Sequence, residues 1–204
     1  AIAYRNLRYI VSYNVIISVG FILIGVAVMD VTALSGTIFY LVHDMFVKAL
    51  LFLLIGTIIY IAKGEHFDEI SGLIRYYPTL GWSFFITVLA LAGIPPLSGF
   101  LGKILIAQGT ITTKSFSLLT LGFLSSFIVL YSLLRIFMNV FWGETIIEKE
   151  ETRSIYKRLY IPILTLIAIS FSLGIGSEFL APYIENAATV LMNPELYIDA
   201  VLEK

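Results

Sequence analysis

Three ionisable residues stand close together in an otherwise apolar run, Leu41-Val42-His43-Asp44-Met45-Phe46-Val47-Lys48. Asp44 and Lys48 are four apart, so on a helix they share a face and can pair. His43 is rotated about 100° from Asp44, toward a different neighbour. Such a set can relay protons, because His titrates near neutrality and a buried Lys can be made to exchange its proton. It can equally be a neutralised ion pair beside a His that hydrogen-bonds between helices. A fourth group, Lys103, follows Ile94-Pro95-Pro96-Leu97-Ser98-Gly99-Phe100-Leu101-Gly102. It lies about seven residues past Pro96, roughly 10 Å along a helix, too deep to snorkel. No acidic residue is near it in sequence, so it reads as a cation without a partner charge. Gly99, Gly102 and Gly109 bracket it, and Gln108-Gly109 offers a second break. Interrupted helices line ion paths, because freed backbone groups are tolerated only against a cavity or protein. The spacing therefore predicts a helix irregular from Lys103 to Gly109. The alternative is a Lys salt-bridged to another helix with no ionic traffic. Arg8 and Arg135 fall near the ends of apolar runs, where anchoring at an interface accounts for them. Ser12, Asn14 and Ser18 can join helices or hold water.

The elements that position these groups must cross a membrane. Of 204 residues, 59% are hydrophobic and only 13% charged, about half the charge of an ordinary soluble domain. Mean hydropathy is +0.95. A spanning helix needs about 20 mostly apolar residues. The gaps between charges give six spans, near 9–29, 34–62, 77–95, 98–113, 116–141 and 159–178. The fold class is thus all-α, a polytopic membrane helix bundle with one discontinuous helix and a single transmembrane domain over 1–204. Trp82, Trp142, Tyr160 and the Tyr76-Tyr77 pair mark span ends. Residues 63–77 form an aqueous loop, 143–158 a charged loop, and 179–204 an interfacial helix and tail, since Pro182, Glu185 and Asn186 interrupt a further span. With six separate crossings, the 143–158 loop, holding Lys149, Arg153, Lys157 and Arg158, faces away from Arg5, Arg8, Lys63, Arg75, Lys114 and Lys204. Positive charge is then too evenly divided to set orientation.

The same composition excludes intrinsic disorder. Lys and Arg number 13 against 14 Asp and Glu, so no nucleic-acid partner is expected. There are no cysteines, which removes disulfides and thiolate sites. No Gly-rich phosphate loop, metal-ligand cluster or nucleophile triad occurs, so neither a cofactor nor a metal is expected. Glu65-His66 with Asp68-Glu69 reads as a solvated loop. No signal peptide is visible at Ala1-Ile2-Ala3-Tyr4-Arg5, which lacks an initiator Met.

Three stretches in order, NLRYIVSYNVIISVGFILIG, LVHDMFVKALLFLLIG and LALAGIPPLSGFLGKILI, resemble the large antiporter-like membrane subunits. That family is shared by the Mrp (Mnh) multisubunit Na+/H+ antiporters, above all their D-type subunits, and by respiratory complex I. The tail from Asn193 to Leu202 is similar to the D-type C-terminus. The resemblance implies two inverted five-helix repeats, each with a broken helix carrying a central Lys or Glu, of which this chain looks like the second repeat plus the last helix. It implies that Lys103 is the broken-helix Lys of a proton pathway that also takes in Lys48, His43 and Asp44, with Arg8 and Ser18 as accessories. Arg8 falls where many members have Lys; Arg keeps its proton and cannot relay one. Asp44 falls where some complex I subunits have His, and His43 is one position earlier. The family's first repeat is absent, so the chain reads as a C-terminal part of such a subunit or a truncated copy. The implied function is secondary transport rather than enzymatic turnover, in a prokaryotic cell membrane. Its implied partners are other membrane subunits, the bilayer, H+ and Na+. The alternatives are a proton-pumping subunit of complex I or a related membrane hydrogenase, or a scaffold whose polar residues only join helices.

Overall fold

A computed structural model describes residues 1–145 and 153–202. Much of the predicted 143–158 loop therefore lies outside the described residues. Eight α-helices follow in order: α1 (Leu7–Ala27), α2 (Val31–Ala62), α3 (Pro78–Ala92), α4 (Gly99–Thr112), α5 (Phe116–Phe141), α6 (Arg153–Ile175), α7 (Ser177–Met192) and α8 (Pro194–Leu202). The all-α bundle predicted above is what forms, and α1 to α6 fall on the six predicted segments.

Helix α2 is the central post. Asp30 caps its start by accepting from the Ala33 N–H at 3.0 Å. Its 32 residues reach roughly 48 Å, and α1, α3, α4, α6 and α7 all pack on it. The interior is mostly apolar, yet polar side chains are buried in it and large apolar ones line the outside. Asn14, Ser18, His43, Lys48, Thr87 and Ser132 are buried, while Ile16, Leu23, Met45 and Phe127 are exposed. Hydrocarbon surroundings demand that arrangement.

Four helices, α1, α2, α5 and the 158–175 part of α6, are long and apolar enough to cross a membrane. Helices α3 and α4 have 15 and 14 residues, each short of the roughly 30 Å of hydrocarbon. Helix α3 starts after the loop that leaves the end of α2. Helix α4 ends with Gly109 against Asp30 and Ala33, at the start of α2. Together they pass the bundle once, as halves of one discontinuous passage interrupted at residues 93–98.

Two expectations change. The interruption is not at Lys103–Gly109, where α4 is continuous. The glycines there fit helices together instead. A Cβ on Gly102 would lie 2.7 Å from the Tyr40 Cβ, and one on Gly36 would lie 2.7 Å from the Ile106 backbone nitrogen. Small residues let helix backbones approach this closely. The break falls where Pro95 and Pro96 deny helical hydrogen bonds. The second change concerns the loops. The Ser71 hydroxyl donates to the Trp142 carbonyl at 3.0 Å, so the 63–77 loop and the end of α5 share one face. Counting α3 and α4 as one passage inverts the predicted parity and brings those loops together.

Candidate functional site

Helix α3 ends in a Schellman turn. Gly93, at φ 84°, supplies the left-handed residue that only Gly adopts cheaply. The Ile94 N–H bonds the Leu89 carbonyl at 3.0 Å, and the Gly93 N–H bonds that of Ala90 at 3.1 Å. This leaves the carbonyls of Leu91 and Ala92 without helical donors, as the last turn of any helix must. Lys103, reaching back from the second turn of α4, donates to both, at 2.8 Å and 3.0 Å. Its ammonium thus caps the negative end of the α3 dipole, with the rings of Phe21 and Tyr40 5.7 Å and 5.9 Å away. The sequence showed no partner charge for Lys103, and none stands within ion-pair distance of it among the described residues. Its partners are backbone carbonyls, which carry no signature in the sequence. A cavity of about 250 Å³ has Lys103 in its lining, with Phe21, Ile24, Phe100, Leu119 and Phe127 among the apolar residues around it.

On α2, Lys48 donates to the Asn14 carbonyl of α1 at 2.8 Å and stands 4.0 Å from Asp44. The predicted shared face is present, and the main hydrogen bond goes across to α1. Ser18 returns its hydroxyl to the same Asn14 carbonyl at 3.1 Å. The Asn14 side chain donates to Ser132 of α5 at 3.0 Å, so this polar set joins α1, α2 and α5. One Asp44 carboxylate oxygen is buried without a hydrogen-bond partner among the described residues.

His43 turns to a different neighbour, as its rotation predicts. Its Nδ1 meets the Ser98 hydroxyl at 2.6 Å, and Ser98 meets Ser170 of α6 at 3.1 Å. Neither serine stood out in the sequence. Ser98 resembles an ordinary helix cap and Ser170 an ordinary span serine; only the fold brings them to His43. Among the described residues, Asp44, Lys48, His43 and Lys103 therefore gather where α2 passes the break. Arg8 does not join them. It lies at the outer end of α1 and pairs with Glu65 at 2.7 Å. Nearby, the backbones of Asn6 and His66 bridge, and Arg5 pairs with Asp68 at 3.2 Å. Arg135 also works at this face, donating to the carbonyls of Ile2 and Tyr4 beside the Phe67 ring.

A buried array of this kind can pass protons between amine, carboxylate, imidazole and hydroxyl groups. Comparison with known proteins agrees with the architecture. The chain is 46% identical to the D-type subunit of the Na+/H+ antiporter of Bacillus subtilis (strain 168), over 100% of this chain and 41% of that protein. It is 31% identical to the D-type subunit of the Na+/H+ antiporter of Alkalihalophilus pseudofirmus, over 100% of this chain and again 41% of that one. The chain spans about two fifths of the length of these curated relatives. The solved Mrp complex from Dietzia sp. DQ12-45-1b contains a similar chain, with TM-score 0.87 and 28% identity, over 98% of this chain and 45% of that one. Respiratory complex I from Thermus thermophilus contains another, with TM-score 0.77 and 25% identity, over 93% of this chain and 40% of that one. The family model described as NADH:quinone oxidoreductase/Mrp antiporter, TM, matches residues 1–149. The chain, with its discontinuous passage and buried polar array, belongs to the NADH:quinone oxidoreductase/Mrp antiporter transmembrane family.

Proposed function

We propose that this chain is the proton-conducting part of a membrane subunit in a multisubunit Na+/H+ antiporter. Protons pass through Lys103, His43, Asp44 and Lys48, with Ser18 as an accessory that orients Lys48 through the Asn14 carbonyl they share. Arg8 serves as an anchor to the 63–77 loop through Glu65. The subunit works in the cell membrane of a prokaryote, among other membrane subunits and lipid, and exchanges H+ for Na+. It is a secondary transporter and turns over no substrate chemically. The observation that carries this reading is Lys103 at the break, an ammonium held by two helix-end carbonyls beside three other buried ionisable groups. A scaffold role needs a donor there but no exchangeable proton. The antiporter is preferred to a complex I subunit because the 46% identical relative bears the antiporter name.

The test is Lys103→Arg in the complete complex. Arg still donates to Leu91 and Ala92, but its pKa is too high to release a proton. Assembly should persist while Na+-dependent proton movement in inverted vesicles falls by about 100-fold, within the range of positioned proton-transfer groups. Lys103→Ala should also stop transport, with some loss of assembled complex from the two uncapped carbonyls. Normal antiport in an assembled Lys103→Arg complex would sink the proposal.

A further inference from the structure

Hydroxyls inside membrane helices usually bond back to their own helix. Ser12, Ser18, Ser35, Thr37, Thr57 and Thr87 all do this, four residues back. Ser98 and Ser170 depart from the pattern. Ser98 occupies the cap position of α4, yet its hydroxyl bonds none of the free N–H groups there. It meets the His43 Nδ1 and the Ser170 hydroxyl instead, linking α2, the break and α6 in one line. All three side chains are buried, at 0%, 0% and 1% exposure for His43, Ser98 and Ser170.

The backbone is fitted to hold this line. A Cβ on Gly174 of α6 would lie 2.2 Å from the Pro96 carbonyl oxygen. One on Gly99 would lie 2.1 Å from the Ala90 carbonyl oxygen and 2.9 Å from the His43 Nε2. Both glycines are therefore needed for α6 and α4 to close on the histidine. The His43 Nε2 lies 2.9 Å from where a Cβ on Gly99 would sit, and has no hydrogen-bond partner among the described residues. One ring nitrogen is thus engaged in a hydroxyl line, while the other has no hydrogen-bond partner among the described residues, beside Gly99 of α4.

We propose that His43, Ser98 and Ser170 form a proton-conducting arm that leads from the break to α6. The arm rests on the transport reading above and extends it to a third element. A proton binds the His43 Nε2 as an N–H bond forms. The Nδ1 proton passes to the Ser98 oxygen as the Ser98 proton passes to Ser170, and the Ser170 proton leaves to a water molecule. Each hydroxyl breaks one O–H bond and forms another, so one proton enters and one leaves. Reorientation of the two hydroxyls and exchange of the histidine tautomer reset the arm.

The experiment uses the complete complex in inverted vesicles, with assembly followed by co-purification of the subunits. Ser170→Ala should assemble normally and lower Na+-dependent proton movement by about tenfold, the low end for positioned proton-transfer groups. Ser170→Thr, which keeps the hydroxyl, should restore the rate to within about twofold of the parent on the same scale. Added to His43→Gln, Ser170→Ala should cause no further loss, since both interrupt one line. Wild-type rates in Ser170→Ala and Ser98→Ala, or additive losses with His43→Gln, would overturn the arm. If Ser98→Ala fails to assemble, the Ser170 pair of variants decides alone. Lys103→Arg run in parallel keeps the two ideas apart. An inactive Lys103→Arg beside a fully active Ser170→Ala removes the arm only, whereas an active Lys103→Arg removes the transport reading itself.

Discussion

Lys48 and Asp44 show what four-residue spacing does and does not determine. It put both on one face, where they stand 4.0 Å apart. The stronger contact of Lys48 is the Asn14 carbonyl at 2.8 Å, and a backbone acceptor is invisible to any pattern of side-chain types. Removing the ammonium strands the Asp44 carboxylate, which already has one oxygen without a hydrogen-bond partner among the described residues. Losing one member of a buried pair costs about 3–5 kcal/mol when burial is complete, and somewhat less here. Lys48→Ala should therefore reduce the amount of assembled subunit more than Lys48→Ala combined with Asp44→Asn. Equal yields of single and double variants in detergent extracts would count against the pair. The Lys103 site follows the same logic. Its depth and the prolines before it were legible, but its carbonyl partners were not. The Asn14–Ser132 bond was equally hidden, because it joins residues 118 apart.

At the scale of elements, the glycines around Lys103 illustrate an ambiguity that one sequence leaves open. Glycine interrupts a helix or lets two helices meet, and only the neighbouring helix tells which. Here Gly102 meets the Tyr40 backbone, so adding a methyl group must push α4 from α2. Gly102→Ala should destabilise the subunit by about 1–3 kcal/mol, as overpacking does. Gly20 and Gly56 have nothing within 4 Å of an added Cβ. Gly20→Ala or Gly56→Ala should be neutral or stabilising by up to about 1 kcal/mol through helix propensity. Thermal melts of the purified complex check the contrast, and equal melting for Gly102→Ala and Gly20→Ala would refute it. Apolar runs located every long helix well, because length and hydropathy are local properties. They counted α3 and α4 as two crossings, because the return of α4 to the start of α2 is a tertiary fact.

For the whole molecule, that single crossing changes the charge count. Arg5, Arg8, Lys63 and Arg75 now share a face with the end of α5, while Lys114 lies opposite. On this count the positive-inside rule predicts a cytoplasmic 63–77 loop. The chain has no cysteine, so a cysteine introduced into it is the one thiol among these 204 residues, and labelling is scored against the unsubstituted parent. Ser71→Cys should react with an impermeant maleimide in inverted vesicles and not in intact cells, and Lys114→Cys should do the reverse. The opposite pattern would overturn the orientation. On the same face, Glu69 accepts from the N–H groups of His66 at 3.1 Å and Glu65 at 2.8 Å. These bonds hold its pKa below the usual carboxylate range. A lowered folded pKa gives support that is full above the unfolded value, about 4.3, and is lost as pH falls through the folded one. Proteolysis within 63–72 should be faster in Glu69→Ala at neutral pH, and the parent should approach it on acidification. A difference that grows as pH falls would contradict the assignment.

The cap on α3 also has a consequence for genetics. Charge pairs leave traces, because a change in one partner can be rescued by a reciprocal change in the other. Lys103 has no such counterpart, since its acceptors are the main-chain oxygens of Leu91 and Ala92. Their side chains can vary without touching the contact. Suppressors of a Lys103 defect will not appear as acidic-to-neutral swaps elsewhere, and a scan of the partly buried Ala92 will find tolerance beside an intolerant lysine, whereas Leu91, packed in the core, will accept only side chains of similar size. In this chain, a position that looks solitary in mutational data can be held as firmly as any pair.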